Sequence, residues 1–154
     1  MASGLARTCW LNGLNGGHVF NLSLNTHKMA MHNATFFSGF NFDTGLAWVN
    51  TNEVTGTNWV TTGYALSAVQ NAATINPAVA GVAGGIIRYT MDNLARTGTT
   101  ISASSGIALY ADALGSPVAK PVFAVVDFGA PYTTTSGTFG INWSGNGVFE
   151  IDLS

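Results

Sequence analysis

Charged residues are scarce in this sequence. Of 154 residues, five are Lys or Arg and seven are Asp or Glu, so the charged share is 8% and the formal net charge is -2. Soluble proteins typically have a charged share of about 25%. Because no basic run is present to neutralise phosphates, we expect no nucleic-acid partner. Gly, Thr, Asn and Ser fill the polar positions, and such a neutral surface is cheap to desolvate, which suits permanent contact with other proteins.

Cysteine pairs and long apolar runs are also missing. The single cysteine, Cys9, excludes an internal disulfide, is compatible with a reducing cytoplasm and is predicted to be a small buried apolar residue. Polar residues and glycines at 12–17 interrupt the N-terminus, so we expect no secretion signal. The longest apolar stretch, residues 77–87, contains three glycines and is well short of the roughly 20 residues that span a bilayer. We therefore expect a soluble protein with no membrane contact.

The patterns that are present predict a single β domain over residues 1–154. A short N-terminal helix or arm covers residues 1–16, with Ser3 as a possible N-cap. The rest of the chain predicts strands, with turn residues between them; these lie at 20–24, 28–32, 59–66, 86–91, 101–103, 106–112 and 122–128. An Ala- and Gly-rich stretch at 72–85 suggests an irregular or edge strand. The fold class is mainly β, an antiparallel β-sandwich or jelly-roll-like domain with a short N-terminal helix.

Two segments stand out within this pattern. Residues 138–154 alternate apolar and polar on either side of an Asn-Gly turn, which predicts a C-terminal hairpin. Residues 33–58 have no sustained period but contain five aromatic residues, so we interpret them as an ordered, aromatic-rich loop excursion. Aromatic side chains are the usual anchors of protein interfaces. The candidate interface residues are Trp10, Phe36, Phe37, Phe40, Phe42 and Trp48.

No pattern in the sequence indicates catalysis, a cofactor or a metal. His27 and His32 differ by an odd number, so on one strand they point to opposite faces, and we expect them to be surface or edge-strand residues. The carboxylates are dispersed, and the close pair Glu150 and Asp152 falls on the predicted solvent face of the last strand. The glycines at 81–85 lack the lysine of a phosphate-binding loop. An enzyme is therefore not expected.

Two stretches resemble a family of small virion structural proteins of tailed bacteriophages. Residues 49–59, which read V-N-T-N-E-V-T-G-T-N-W, are similar to the family's N-E-V-[ST]-G-T-G-Y segment. Residues 108–143 are similar to its central strand, turn, V-D-F-G strand end, short loop and terminal hairpin. The chain departs from the family in its low charge, in Asn58 and Trp59 where Gly and Tyr are usual, and in the insertion at 72–85. The resemblance implies a β-sandwich-like structural subunit without known catalytic residues.

Three functions are consistent with this reading of the sequence. The first is a capsid decoration or cement protein that binds the major capsid protein of a virion assembled in the bacterial cytoplasm, with a dimer or trimer as its expected state. The second is a neck or tail component, which a low copy number would distinguish. The third is a carbohydrate-binding module, for which Trp10 and Trp48 are the candidate stacking platforms.

Overall fold

A computed structural model describes residues 3–17, 21, 26–44, 47–66, 69–70, 73–74, 78–82, 86–143 and 147–152. This part of the chain is mainly β and antiparallel, as predicted. Its elements are β1 (Gly4–Leu5), α1 (Arg7–Leu14), β2 (Lys28–His32), α2 (Ala34–Gly39), β3 (Tyr64–Ala65), β4 (Val69–Gln70), β5 (Ala73–Thr74), β6 (Ala78–Val82), β7 (Ile86–Thr90), β8 (Leu94–Tyr110), β9 (Val122–Ile141) and β10 (Phe149–Asp152).

The largest sheet is built around a long ribbon of two strands. Its order is β1-β9-β8-β2-β3, and β8 and β9 pair from Leu94 opposite Ile141 to Tyr110 opposite Val122. At the inner end of the ribbon the side chains of 106–110 and 122–125 are buried, which explains their nearly continuous apolar sequence. In the middle of the ribbon, at 97–103 and 129–138, most side chains are exposed and the register shifts several times, as expected where β-bulges occur, whereas Leu94 and Ile141 at the other end are buried again.

The second edge of β2 is completed by loops as well as by β3. The amide of Val54 donates to the carbonyl of Met31, and the amide of Asn33 donates to that of Asn52. Asn33 then begins α2, because its side chain accepts hydrogen bonds from the first amides of the helix. The loop of residues 52–54 thereby forms hydrogen bonds with the end of β2, at Met31 and Asn33, where β3 is too short to pair with it.

A three-stranded sheet, in the order β10-β7-β6, packs against the inner end of the ribbon. The rings of Tyr89 and Phe123 lie 6.0 Å apart across this contact. Helix α1 closes the same region, since the indole Nε1 of Trp10 donates to the carbonyl of Phe123 at 2.9 Å and its ring meets Phe149 edge-on at 5.6 Å. Cys9 is fully buried there, as predicted. Burial raises the pKa of its thiol to about 12.

The C-terminal hairpin predicted for residues 138–154 is not formed. Strand β10 pairs with β7, from Phe149 opposite Tyr89 to Asp152 opposite Ile86, whereas 139–141 pair with 94–96. Packing explains the choice, because the Phe149 ring stacks on Tyr89 at 5.0 Å. Glu150 also forms an ion pair with Arg88, so it is not the unpaired surface carboxylate that the sequence suggested.

Three other boundaries differ from the prediction. Helix α1 begins after Ala6 rather than at Ser3, because residues 4–5 pair with β9 as β1. The excursion at 33–58 contains the short helix α2 and is not entirely loop. The predicted strand at 59–66 shortens to β3, since a turn occupies residues 61–62. The predicted strand at 20–24 lies outside the described residues.

Candidate protein-contact site

The four phenylalanines proposed as interface anchors form one cluster against the sheet. Phe36 stacks on His32, with ring centroids 3.8 Å apart, and it also contacts Phe37 and Phe40 at 5.2 and 5.4 Å. Phe42 meets Phe40 edge-on at 5.3 Å. Phe37 is only 2% exposed and the other three are half-buried. Phe37 is therefore covered in this structure, because α2 folds its ring over the sheet, and its role as an anchor stays a prediction.

The two tryptophans in the proposed interface are also packed within the fold. Trp48 is half-buried and stacks on the buried ring of Tyr110, with centroids 4.6 Å apart and an interplanar angle of 9°. The Nζ atom of Lys120 lies 5.6 Å from the Trp48 ring centroid. Trp10 is half-buried and is held by Phe123 and Phe149. All six predicted residues therefore support the core, and the structure brings only the phenylalanines together.

The most exposed part of the sheet is the middle of β9, residues 129–138. Strand β1 pairs with β9 only at Ala124 and Val125, and among the described strands only β8 pairs with β9 between 129 and 138. This segment reads G-A-P-Y-T-T-T-S-G-T, so it contains no charged residue. Tyr132 is 52% exposed, and its ring meets Phe128 edge-on at 5.8 Å. Among the described residues, the side of the segment that faces away from β8 is therefore an unpaired, neutral strand edge with an aromatic ring beside it.

Two adjoining clefts lie along β9, and the first of them includes residues of the 129–138 segment. The Tyr132 cleft, of about 490 Å³, is lined by Phe128, Tyr132, Thr133, Thr134, Thr138, Phe139, Gly140, Ile141 and Asn142. The Trp143 cleft, of about 460 Å³, is lined by Ser3, Gly4, Leu5, Ala124, Val125, Val126, Phe128, Ile141, Asn142, Trp143, Gly147, Val148 and Phe149. The two clefts share Phe128, Ile141 and Asn142. No residue in either lining carries a charge, so a ligand of these clefts would be met by apolar and neutral polar groups.

The charged side chains are engaged elsewhere. Asp112 accepts from both Lys28 and Lys120 at 2.9 Å. Burial raises the pKa of Asp112, but the hydrogen bonds from the two lysines outweigh it and leave the pKa below its usual value. The other cations are placed similarly: Arg7 pairs with Asp43, Arg88 pairs with Glu150, and the Arg96 guanidinium lies 4.1 Å from the Tyr64 ring centroid. These contacts account for all five Lys and Arg of the chain.

The two described histidines are buried, which corrects the expectation of surface histidines. His27 is 2% exposed and lies against the ring of Phe123 at 5.3 Å, while His32 is fully buried and lies against Phe36. His27 and His32 pack against different aromatic rings, so their imidazoles do not face a common site where both could bind one ion. Burial lowers the pKa of His32 to about 4, and the backbone of Asn52 offsets only part of that effect. His18 lies outside the described residues.

A third cleft, of about 500 Å³, is lined in part by Ser105, Asp127 and Phe37. The Oγ of Ser105 is buried, and it does not meet a ring nitrogen of the nearby His32 in hydrogen-bonding geometry. A nucleophilic serine needs a base within hydrogen-bond reach, so these two residues do not form an activated pair here. Among the described residues no group of three or more His, Cys, Asp or Glu could hold a metal ion. No helix in that part of the chain is long and apolar enough to cross a membrane.

The sequence analysis missed the exposed segment of β9 and both clefts beside it. The resemblance implied a short loop after the V-D-F-G strand end, although proline, here Pro131, is tolerated on an edge strand. The sequence signal that could have indicated this site is the absence of charged residues from 129–138 together with three consecutive threonines, a residue type that favours strands. Comparisons of the chain with protein-family models, curated proteins and solved structures found no match.

Proposed function

We propose that the protein is a structural component of a bacteriophage virion, a decoration protein that binds the major capsid protein. The observation that carries this proposal is the pair of uncharged clefts beside an unpaired strand edge on β9. Uncharged, largely apolar concave surfaces favour burial against another protein, whereas acid–base or nucleophilic chemistry needs ionisable groups that face each other. The assignment to a virion rests on the resemblance of residues 49–59 and 108–143.

A protein of this kind stabilises a particle through the area that it covers. Binding across a joint between subunits adds the free energy of that contact to the assembled state and needs no chemical step. In the Trp143 cleft, Val126, Trp143 and Phe149 are all half-buried, so a partner that covers them removes further apolar surface from water. At about 25 cal/mol per Å² of apolar area, one partner side chain that fills such a site contributes about 1.5–3 kcal/mol.

The distribution of charge supports a contact that forms through shape and apolar area. Each of the five Lys and Arg side chains already has a partner within the chain, so pairing with a carboxylate of another protein would require breaking an existing contact. The affinity for the partner should therefore depend only weakly on salt concentration, because little Coulombic attraction between exposed charges is left to screen. Raising the salt concentration from about 0.05 to about 0.5 M shortens the Debye length and screens exposed charges. A strong loss of binding over this range would argue for a charged partner surface instead.

The carbohydrate-binding alternative has less support in the structure. One face of the Trp48 ring is covered by Tyr110, and Trp10 is held by a hydrogen bond and by an edge contact. A sugar ring stacks on an open aromatic face, and the two tryptophans on which this alternative depends are half-buried. A glycan screen that gave specific binding, lost on Trp48→Ala in a variant that still folds, would favour this alternative.

The position in the particle can be tested by counting copies. Quantitative mass spectrometry of purified virions should find the protein in numbers comparable with the capsid subunits, and electron microscopy should place it on the capsid surface. Six or twelve copies would favour a neck or tail component. Complete absence from virions would overturn the proposal.

The contact surface can be tested with one exposed residue that lines both clefts, Asn142. Asn142→Arg puts a long cation at the rim, and purified Asn142→Arg protein should no longer bind particles that lack the protein. Asn50→Arg is the matched control, because Asn50 is also exposed but lines neither cleft. Equal binding by the two variants would exclude the clefts as the contact surface.

A further inference from the structure

Tyr132 is the only exposed aromatic ring among the described residues. It is 52% exposed, whereas the two tryptophans considered as sugar platforms, Trp10 and Trp48, are half-buried. The Phe128 ring lies against it at 5.8 Å, with an interplanar angle of 79°. Within the described part of the chain no ring is therefore stacked on either face of Tyr132, unlike Trp48, which Tyr110 covers at an angle of 9°. Tyr132 thus has the open aromatic face that the tryptophans lack.

The Tyr132 cleft lies between two parts of a single bent strand. Every residue of its lining belongs to β9 except Asn142, which follows directly after it. The strand bends far enough to bring the rings of Phe128 and Phe139 within 6.1 Å of each other. On the neighbouring strand β8, the hydroxyl of Thr99 lies 2.9 Å from that of Thr134 and helps to fix this part of the lining. The cleft is therefore formed before any ligand arrives, as is usual for small-molecule sites.

The polar groups that this cleft offers to a ligand are neutral. Thr138 and Asn142 are exposed in the lining, and their side chains have no hydrogen-bond partner among the described residues. A threonine hydroxyl and an asparagine amide can each both donate and accept hydrogen bonds. No Lys, Arg, Asp or Glu lines the cleft, so a charged ligand would lose water there without gaining a counter-charge. The lining therefore suits an uncharged ligand that has an apolar face and several hydroxyl groups.

We infer that the Tyr132 cleft binds a neutral saccharide. A sugar ring has a face of C–H groups that packs on an aromatic ring, and hydroxyls around its rim that need neutral donors and acceptors. Tyr132 supplies the stacking face, Phe128 stands nearly perpendicular to it, and Thr138 and Asn142 supply the hydrogen bonds. The volume of about 490 Å³ is within the range of ligand sites, roughly 300–1,000 Å³. Because one ring and a few hydrogen bonds make the contact, the Kd should be about 0.1–1 mM.

This inference goes beyond the proposed function and does not rest on it. A saccharide in the Tyr132 cleft leaves the contact with the capsid protein to the adjoining Trp143 cleft. Both contacts fit on one molecule, because Val126, Trp143 and Phe149 line the second cleft and not the first. The site is also separate from the tryptophan platforms, so Trp48→Ala protein that folds should bind saccharide as the wild type does.

Affinity electrophoresis of the purified full chain tests the inference, in native gels that contain a neutral polysaccharide (starch, dextran, mannan or galactan) or an acidic one (alginate or polygalacturonate). At least one neutral polysaccharide should slow the wild type, and neither acidic one should. Tyr132→Ala should raise the apparent Kd about tenfold or more, because the stacking face is lost, whereas Tyr132→Phe should keep the binding. Val60→Ala is the control, since Val60 is 51% exposed and lines neither cleft.

A second variant tests the hydrogen bonds of the site. Thr138→Val keeps the shape of the side chain and removes the hydroxyl, so the apparent Kd should rise by a factor of about 2–10 while the midpoint of urea unfolding stays the same. A wild type that no neutral polysaccharide slows, retardation by the acidic polysaccharides alone, or equal retardation of Tyr132→Ala and Val60→Ala would each overturn the inference. If Tyr132→Ala lowers binding to virions while no gel slows the wild type, a protein occupies the cleft and the saccharide inference is wrong.

Discussion

Acidification should destabilise the protein through His32, and the size of the effect follows from its burial. The ring is fully buried between the sheet and Phe36, and its pKa is lowered from 6.5 to about 4. The unfolded chain therefore takes up the proton first as the pH falls, so stability is full above about pH 6.5 and is lost progressively down to about pH 4. Each pH unit of that gap corresponds to about 1.36 kcal/mol. The loss from this one group is about 2 kcal/mol at pH 5 and about 3.4 kcal/mol below pH 4.

The assay is urea unfolding followed by tryptophan fluorescence at several pH values between 7.5 and 5, for the wild type and for His32→Leu. Leucine is apolar and does not titrate, so the wild type should lose about 2 kcal/mol more than the variant over this range. Comparing the slopes of unfolding free energy against pH for the two proteins cancels the contributions of other titrating groups. Two such groups are present: burial lowers the pKa of His27, and burial raises the pKa of Glu53, which has the opposite effect on stability. Parallel pH profiles for the two proteins would refute the reasoning.

Three substitutions test the packing described above. Gly106→Ala should lower the free energy of unfolding in urea by at least about 3 kcal/mol or prevent folding, since the new Cβ would overlap a backbone carbonyl and a ring of the phenylalanine cluster. Gly39→Ala is the control: its Cβ meets nothing within 4 Å, so stability should change by less than about 1 kcal/mol. Asn33→Ala should cost about 0.5–2 kcal/mol, because two amides of α2 lose their acceptor, and an unchanged midpoint would contradict the capping role. Trp48→Ala should lower the thermal midpoint through the lost stack on Tyr110; an unaltered midpoint would show that the ring contributes little to the fold.

The sequence predicted strand formation better than strand pairing. The apolar runs predicted as strands at 106–112 and 122–128 contain the buried parts of β8 and β9, residues 106–110 and 122–125, because a strand buried on both faces needs apolar residues at every position. The pairing of 149–152 could not be read locally. An Asn-Gly turn favours a hairpin, but the turn contributes less than the aromatic contacts that Phe149 makes with Trp10 and Tyr89, residues distant in sequence.

The candidate site illustrates the same limitation. Aromatic residues at 36–48 suggested an interface because exposed rings often anchor partners, yet here they lie in or pack against the hydrophobic core. Whether a ring is buried depends on tertiary contacts with residues distant in sequence, and a local sequence pattern does not contain that information. A short loop was expected after residue 128, although β8 pairs with this segment at Tyr132, Thr134 and Gly137, with register shifts between these pairs. The fold class was predictable from local patterns, whereas the exposed surface depended on long-range pairing.

The low charge of the chain and the bulges of β9 have opposite effects on how easily another strand could pair with this edge. An uncharged, flat and regular edge would allow any exposed strand to pair with it, and repeated pairing leads to fibres. Left-handed residues at 129 and 136 break the regular backbone on either side of a short segment, so only a few residues can join a partner strand in register. Specificity must then come from the clefts beside the edge, because a short run of backbone hydrogen bonds does not distinguish one strand from another. Substitutions that straighten β9 should therefore broaden association, whereas substitutions that fill the clefts should abolish it.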